Sequence, residues 1–321
     1  MSTIHWILRD DGWNEGSLLA LAAHCELGRM GTSVRVYPLF AAPSTPMTWP
    51  RNFSSAPPLL QGKARWTWGR RVGGLLRSLD GPVVVDEDDV AAPLVLSLAR
   101  GLPIVGWARR LEPLASIPYG QFERVVAGSR TALNGVLQRS AVLPTRIFEV
   151  DAPTLEPRIR LVEAEQLVVA VMGAMGAIKG VDLVINALAE LARQKRPWEL
   201  WLFGDGPERV RWEVYGRAMD VPVTWIPLES WEDRLGAVDL LIAPQFDDGL
   251  AWDVEIAKRA GIPVVAGDLP VMRERLQGWA GAHILKAVTV MEVIDALDGP
   301  APRRVPAPAH SSGGWNEAFS F

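Results

Sequence analysis

Cysteine is nearly absent from this chain, with Cys25 the single one. One thiol closes no internal disulfide and builds no cysteine-based metal site, which fits a reducing compartment. Histidine is scarce as well, and His5, His24, His283 and His310 show no ligand-like spacing. No apolar run reaches the roughly 18 residues of a membrane-spanning helix. Arg9, Asp10 and Asp11 interrupt the first short apolar run, so no secretory signal is expected and the chain reads as cytoplasmic. A cationic excess is also missing. Lys and Arg total 33 against 37 Asp and Glu, a net charge of −4, which argues against a general nucleic-acid-binding protein but leaves room for local basic patches.

What is present is an ordinary globular balance, 49% apolar and 22% charged, together with 14 tryptophans and 25 prolines. A length of 321 residues predicts two domains. In the first half, short apolar runs at 4–8, 33–39, 83–85, 104–107 and 124–128 alternate with helical periodicity at 17–27, 93–100 and 131–138. In the second half, strands at 167–172, 198–203, 223–226, 239–243 and 263–266 alternate with helices at 180–193, 207–219, 232–237, 253–260, 271–277 and 288–297. Alternation of this kind predicts parallel sheets with helices on both faces. The all-apolar segment 167–172 is the pattern of a strand buried on both sides. Prolines without periodicity at 151–157 and 299–314 read as linkers. The expected organisation is a Rossmann-like domain over 1–152, a second over 153–298, and a proline-rich linker with a closing segment over 299–321. Ligands are expected at the C-terminal ends of the strands, where such sheets bind them.

Four segments of the second half carry a resemblance. They are Val171-Met172-Gly173-Ala174-Met175-Gly176-Ala177-Ile178-Lys179-Gly180-Val181-Asp182, Leu202-Phe203-Gly204-Asp205-Gly206-Pro207-Glu208-Arg209, Ala237-Val238-Asp239-Leu240-Leu241-Ile242-Ala243-Pro244, and Asp248-Gly249-Leu250 through Ala260-Gly261-Ile262-Pro263-Val264-Val265-Ala266. In this order and spacing they resemble the donor-binding domain of family 4-type retaining glycosyltransferases (glycosyltransferase group 1). The resemblance covers roughly 165–290 and is weaker over 1–150, where Gly12–Gly16 sits at the family's N-terminal glycine loop. It implies the GT-B fold, two Rossmann-like doubly wound parallel-sheet domains facing a cleft. It also implies transfer of a sugar from a nucleoside-diphosphate sugar to an acceptor hydroxyl with retention, no metal and no cofactor beyond the co-substrate.

The chemistry of the residues agrees with that implication. The loop after Met172 contains glycine and opens a helix, so backbone N–H groups and the helix dipole would face a diphosphate, with Lys179 as a cationic donor. Bland alternatives are a tight strand–helix turn and a solvated lysine. The expected donor-binding residues are Gly173, Ala174, Gly176, Lys179, Gly204, Asp205, Asp247, Asp248, Gly249, Leu250 and Glu255. Lys179, Asp248 and Asp88 are the expected catalytic groups. Asp247 and Glu255 keep the family's eight-residue carboxylate interval, whereas aligning on Gly261-Ile262-Pro263 puts Ile256 at the second position. Asp247 and Asp248 also fit capping carboxylates at a helix start. The family's loop arginine is Ala174 here, so a bidentate phosphate contact is lost, with Arg273 or Arg275 as possible replacements. The family's histidine after a "PVV" strand is absent as well.

On the acceptor side the expected residues are Gly12, Asn14, Glu15, Gly16, Asp86, Trp107 and Arg109. The acidic run Asp86-Glu87-Asp88-Asp89 looks like a metal-binding DxD but is read as acceptor-contacting or capping, and no metal is expected. The basic, aromatic stretch 63–77 has three readings: an anionic-membrane patch, a segment with core tryptophans and solvated arginines, or a nucleic-acid contact. The acceptor is thus a glycan, lipid, small molecule or modified nucleic acid. Transfer to modified DNA bases and non-catalytic nucleotide-sugar binding are the alternative functions, and a nucleotide-sugar epimerase is disfavoured by the lack of histidines in the expected places.

Overall fold

The structure, a computed structural model, describes residues 3–42, 46–47, 49, 53–86, 91–109, 119–140, 142–151, 167–194, 198–227, 230–247, 249–298, 304–306 and 314–320. The chain divides into two units, Met1–Pro153 with Ser311–Phe321, and Thr154–His310.

The first unit runs β1 (Thr3–Asp10), α1 (Glu15–Arg29), β2 (Ser33–Phe40), β3 (Ser54–Ser55), α2 (Trp68–Arg77), β4 (Val83–Asp86), α3 (Ala91–Leu98), β5 (Ile104–Ala108), β6 (Arg124–Ala127), α4 (Arg130–Arg139) and β7 (Ile147–Glu149). Its seven strands form one sheet in the order β3-β2-β1-β4-β5-β6-β7, and every pair is parallel. The central strands are Val- and Ile-rich because helices cover both faces. Ile7, Val83, Val84, Val85, Val105, Val125 and Val126 have no exposed surface. Strand order reverses between β1 and β4, which places the first unit's switch point between the ends of those strands.

The second unit runs β8 (Leu167–Met172), α5 (Val181–Arg193), β9 (Trp198–Phe203), α6 (Arg209–Ala218), β10 (Val223–Ile226), α7 (Trp231–Arg234), β11 (Leu240–Ala243), α8 (Trp252–Arg259), β12 (Val264–Ala266), α9 (Pro270–Leu276), β13 (Ala282–Ile284) and α10 (Val290–Leu297). Its six strands are also all parallel, in the order β10-β9-β8-β11-β12-β13, so the switch point lies between β8 and β11. Both sheets have the Rossmann-like doubly wound pattern expected from the sequence. The fold is GT-B.

Two late segments tie back onto these sheets. Arg304 donates to the carbonyls of Ala260 (2.8 Å), Gly236 (2.7 Å) and Val238 (3.0 Å). One guanidinium thus satisfies carbonyls gathered at the end of α8 and before β11. Beside it, the Val305 amide donates to the Gly261 carbonyl, and Gly261 has φ +68° with a Cβ position only 2.6 Å from the Val305 oxygen. A side chain at 261 would displace this strap. The closing helix α11 (Trp315–Phe319) belongs to the first unit. Trp315 is fully buried, its indole N–H donates to the Asp151 carbonyl at 3.0 Å, and Arg124 donates to the carbonyls of Glu317 (2.8 Å) and Ala318 (3.1 Å).

Candidate functional site

The second unit's switch point is built by three loops. The first follows β8, where Gly173 takes φ +113° and its amide donates to the Phe203 carbonyl. Met175 N–H donates to the Asp205 carbonyl, and Glu208 N–H returns to the Met175 carbonyl. The loops after β8 and β9 are thereby laced together. Gly206 must be glycine, since a Cβ there would lie 2.5 Å from the Met175 oxygen. Gly204 at φ +129° likewise needs its freedom. A short 3-10 turn over Ala177–Lys179 then leads into α5 through Gly180, which is left-handed at φ +72° and packs against Pro244 at the end of β11. Phe246 N–H donates to the Ile178 carbonyl, joining the β11 loop to this turn.

The result holds Lys179 at the switch point itself. Its Nζ donates to Asp253 Oδ2 at 2.6 Å and to Gln245 Oε1 at 2.7 Å. Lys179, Asp253 and Gln245 are all buried. Asp253 comes from the first turn of α8, which starts after Ala251, a non-glycine residue in the left-handed region at φ +49°. The Asp253 Oδ1 accepts from the Val254 N–H at 2.9 Å, which fixes the carboxylate's orientation. A Cβ at Gly173 would sit 3.4 Å from the ammonium, so this glycine lets the loop backbone lie directly over the cation.

Other expected donor residues fall around this centre with altered roles. Ala174 and Gly176 lie in the β8 loop, and Gly249 and Leu250 are buried where the chain leaves β11 for α8. Asp247 is half-buried in that same loop, and Asp248 lies outside the described residues. Asp205 is spent locally, because Oδ1 accepts from Gly206 N–H and Oδ2 from Arg209, both at 2.8 Å. Glu255 pairs along its own helix with Lys258 and Arg259 at 3.3 Å each. These are i,i+3 and i,i+4 pairs, the geometry a helix offers a carboxylate at that position. Arg273 does not replace the missing loop arginine, since it is exposed and doubly bonded to Asp268. That bond holds the Asp268 carboxyl below its ordinary range. Arg275 is buried in α9, and its carbonyl accepts from Lys258. Asp253 and Gln245 are the functional candidates that motif reading missed.

In the first unit, Asp10, Gly12 and Asn14 make a closed loop after β1. Asn14 caps α1 by accepting from Ser17 N–H at 2.9 Å, and its amide donates to Asp10 at 2.9 Å and to the Gly12 carbonyl at 3.2 Å. Asn14 is therefore a cap whose polar atoms serve the loop, in place of the acceptor contact expected. Arg109, at the end of β5, is buried and joins Asp86 (2.9 Å) to Glu15, the first residue of α1. Gly16 lies against this pair, a Cβ there falling 3.4 Å from Asp86 Oδ2. The first switch point thus gathers Glu15, Gly16, Asp86 and Arg109 as an ion-paired cluster. Trp107 is a correction. It has no exposed surface and sits between Trp6 and Trp315, with ring centroids 5.4 and 5.5 Å away, so it is core and does not face an acceptor. Asp88 lies outside the described residues, as do Glu87 and Asp89.

The basic stretch splits between its readings. Trp68 packs edge-on against Phe40 at 4.9 Å, and Val72, Gly73 and Leu76 form the buried face of α2. Packing of that face outweighs the helix cost of Gly73 and Gly74. Trp66 is 86% exposed, and Lys63, Arg65, Arg70, Arg71 and Arg77 are all exposed with no acidic residue between 63 and 79. The core reading therefore fails for Trp66. No helix among the described residues is long and apolar enough to cross a membrane.

Comparison with known proteins bears directly on the second unit. Residues 166–298 match the family model described as Glycosyl transferases group 1. The matched segment holds the β8 loop, Lys179, Asp253 and the β11 loop. No curated protein sequence matches the chain. Among solved structures, WaaG, a glycosyltransferase involved in lipopolysaccharide biosynthesis, is 14% identical with a TM-score of 0.66, over 92% of this chain and 89% of that one. Sucrose-phosphate synthase from Thermosynechococcus elongatus is 12% identical with a TM-score of 0.65, over 93% and 89%. HepE of Anabaena, solved in complex with UDP and glucose, is 14% identical with a TM-score of 0.64, over 93% and 89%. At these identities the likeness is one of fold. The glycosyltransferase domain in the second unit makes the chain a transferase enzyme.

Proposed function

We propose that this glycosyltransferase moves a sugar from a nucleoside-diphosphate sugar to an acceptor hydroxyl with retention of anomeric configuration. The placement of Lys179 at the switch point between β8 and β11 carries this reading. It is the position where a doubly wound sheet binds its ligand, and it combines an ammonium with the start of α5. The bond between the anomeric carbon and the diphosphate oxygen breaks, and a bond from that carbon to the acceptor oxygen forms on the same face. The acceptor's proton passes to the leaving diphosphate oxygen. Lys179 and the backbone of the β8 loop stabilise the charge that builds on the leaving group. The remaining protein contribution is positioning, with Asp247, Gly249 and Leu250 of the β11 loop on the sugar. The nucleotide sugar is the sole co-substrate in this reading, and no metal takes part.

The test is a calorimetric and thermal-shift screen of the full chain against nucleoside diphosphates and their common sugars, followed by assay of nucleoside diphosphate release. A donor should stabilise the protein in proportion to RT ln(1 + [L]/Kd), and the same donor should be consumed when an acceptor is supplied. Binding without turnover across acceptors would favour a nucleotide-sugar-binding protein. Absence of binding by every nucleotide would end the donor-site reading.

The exposure of Trp66 favours a second statement, about where the acceptor is met. An exposed indole among five cations and no acid is suited to an anionic lipid surface, where the ring sits at the headgroup level and the cations pair with phosphate. The full chain is expected to co-sediment with vesicles containing phosphatidylglycerol and not with neutral phosphatidylcholine vesicles. Trp66→Ala should weaken that binding severalfold, and added salt should reverse it. Equal sedimentation with both vesicle types would remove the membrane reading, and retention on single-stranded DNA would favour the nucleic-acid one.

A further inference from the structure

Several cations of the second unit are held by carboxylates. Arg209 is held by Asp205 and Glu213, Arg273 by Asp268, and Lys258 and Arg259 by Glu255. Lys179, at the centre of the proposed donor site, gives two of its three N–H donors to Asp253 and Gln245. Asp253 is an anion 2.6 Å from the ammonium, so a donor phosphate that pairs with the same Nζ meets it. Carboxylate and phosphate therefore compete for one ammonium in a largely desolvated place, where like charges repel strongly.

Resting on the donor-site reading above, we propose that Asp253 is the specificity-determining residue that separates donor from product at this site. A nucleotide sugar and the nucleoside diphosphate left after transfer share the same two phosphates. The product carries a terminal phosphate with a further ionisation near neutral pH. Repulsion from Asp253 falls more heavily on the more highly charged species. Asp253 thus weakens the hold of Lys179 on the product more than on the donor and favours product release. The geometry suits this role. The carboxylate is fixed through Oδ1 to its own helix backbone, so it does not swing away when a phosphate arrives. Gln245 supplies the neutral contact that keeps the ammonium in place when the second partner changes.

The experiment is isothermal titration calorimetry of UDP, GDP, UDP-glucose and GDP-mannose with the full chain as wild type, Asp253→Asn and Lys179→Ala/Asp253→Asn. Asparagine keeps the shape and the Oδ1 acceptor and removes only the charge. The expected result is that Asp253→Asn tightens the nucleoside diphosphate by roughly tenfold or more and its sugar by clearly less, with both gains lost in the double variant. If Asp253→Asn does not fold, Asp253→Ser provides the same removal of charge. Unchanged or weaker diphosphate binding in a variant of a wild type that binds would overturn this inference and leave the donor site standing. An equal gain for product and sugar would overturn the discrimination, and a gain that persists without Lys179 would overturn the route through the ammonium. Failure of all four compounds to bind any of the proteins would remove the donor site and this inference together.

Discussion

Lys179→Ala is expected to weaken nucleotide binding by roughly 10- to 100-fold, the worth of one hydrogen bond to a charged group at about 1.5–3 kcal/mol. The same substitution should also lower the stability of the unliganded protein. Lys179 and Asp253 have side chains only 11% and 7% exposed, and truncation leaves a buried carboxylate with its ammonium gone. Breaking such a pair costs about 3–5 kcal/mol. The Val254 N–H remains on Asp253 and places this case at the lower end. The two effects separate in the double variant Lys179→Ala/Asp253→Asn. Removing the orphaned charge should recover most of the lost melting temperature, and nucleotide binding should stay lost. Thermal shift with and without UDP or GDP measures both at once. A Lys179→Ala protein that binds nucleotide like the wild type would place the diphosphate elsewhere in the second unit.

The unequal legibility of this site has a physical origin. The β8 loop could be read because its requirements are local: Gly173 must take a positive φ, and Lys179 follows within one turn. Asp253 could not be read, because its partner is 74 positions away and meets it only through the β8–β11 pairing. The eight-residue interval from Asp247 to Glu255 pointed to a ligand carboxylate, but helix geometry offered Glu255 two cations on its own next turn. Trp107 was misread for a similar reason. In strand β5 alone it is an aromatic near a strand end, and what buries it is Trp315, which arrives from the far end of the chain. Among the elements, the long strands were plain from unbroken apolar runs. Strands β3, β7 and β13 were not, being two or three residues long and half-buried or exposed at sheet margins, where no continuous run is demanded.

The largest stability effect in the first unit is expected from Trp315→Ala. Trp315 lies inside a stack that runs Trp6, Trp107, Trp315 and Phe319, with ring centroids 5.4, 5.5 and 6.2 Å apart. Its side chain has no exposed surface, and its N–H is satisfied by the Asp151 carbonyl. Truncating a buried tryptophan costs about 3–5 kcal/mol through lost transfer energy and an unfilled cavity. The loss also uncouples a short helix that could not form alone, because five residues are far below the length at which isolated helices persist. The entry to that helix is equally constrained. Gly314 is left-handed at φ +85°, and a Cβ there would lie 2.0 Å from the Glu149 carbonyl, so Gly314→Ala should release α11 while leaving every aromatic side chain in the sequence. In differential scanning calorimetry, Trp315→Ala should lower the melting of the first unit by roughly 6–20 °C, taking 2–4 °C per kcal/mol for a domain of this size. Trp315→Phe should recover part of the loss by refilling the cavity without the hydrogen bond. Unchanged melting in Trp315→Ala would mean that the Trp315 side chain contributes nothing to the first unit's stability.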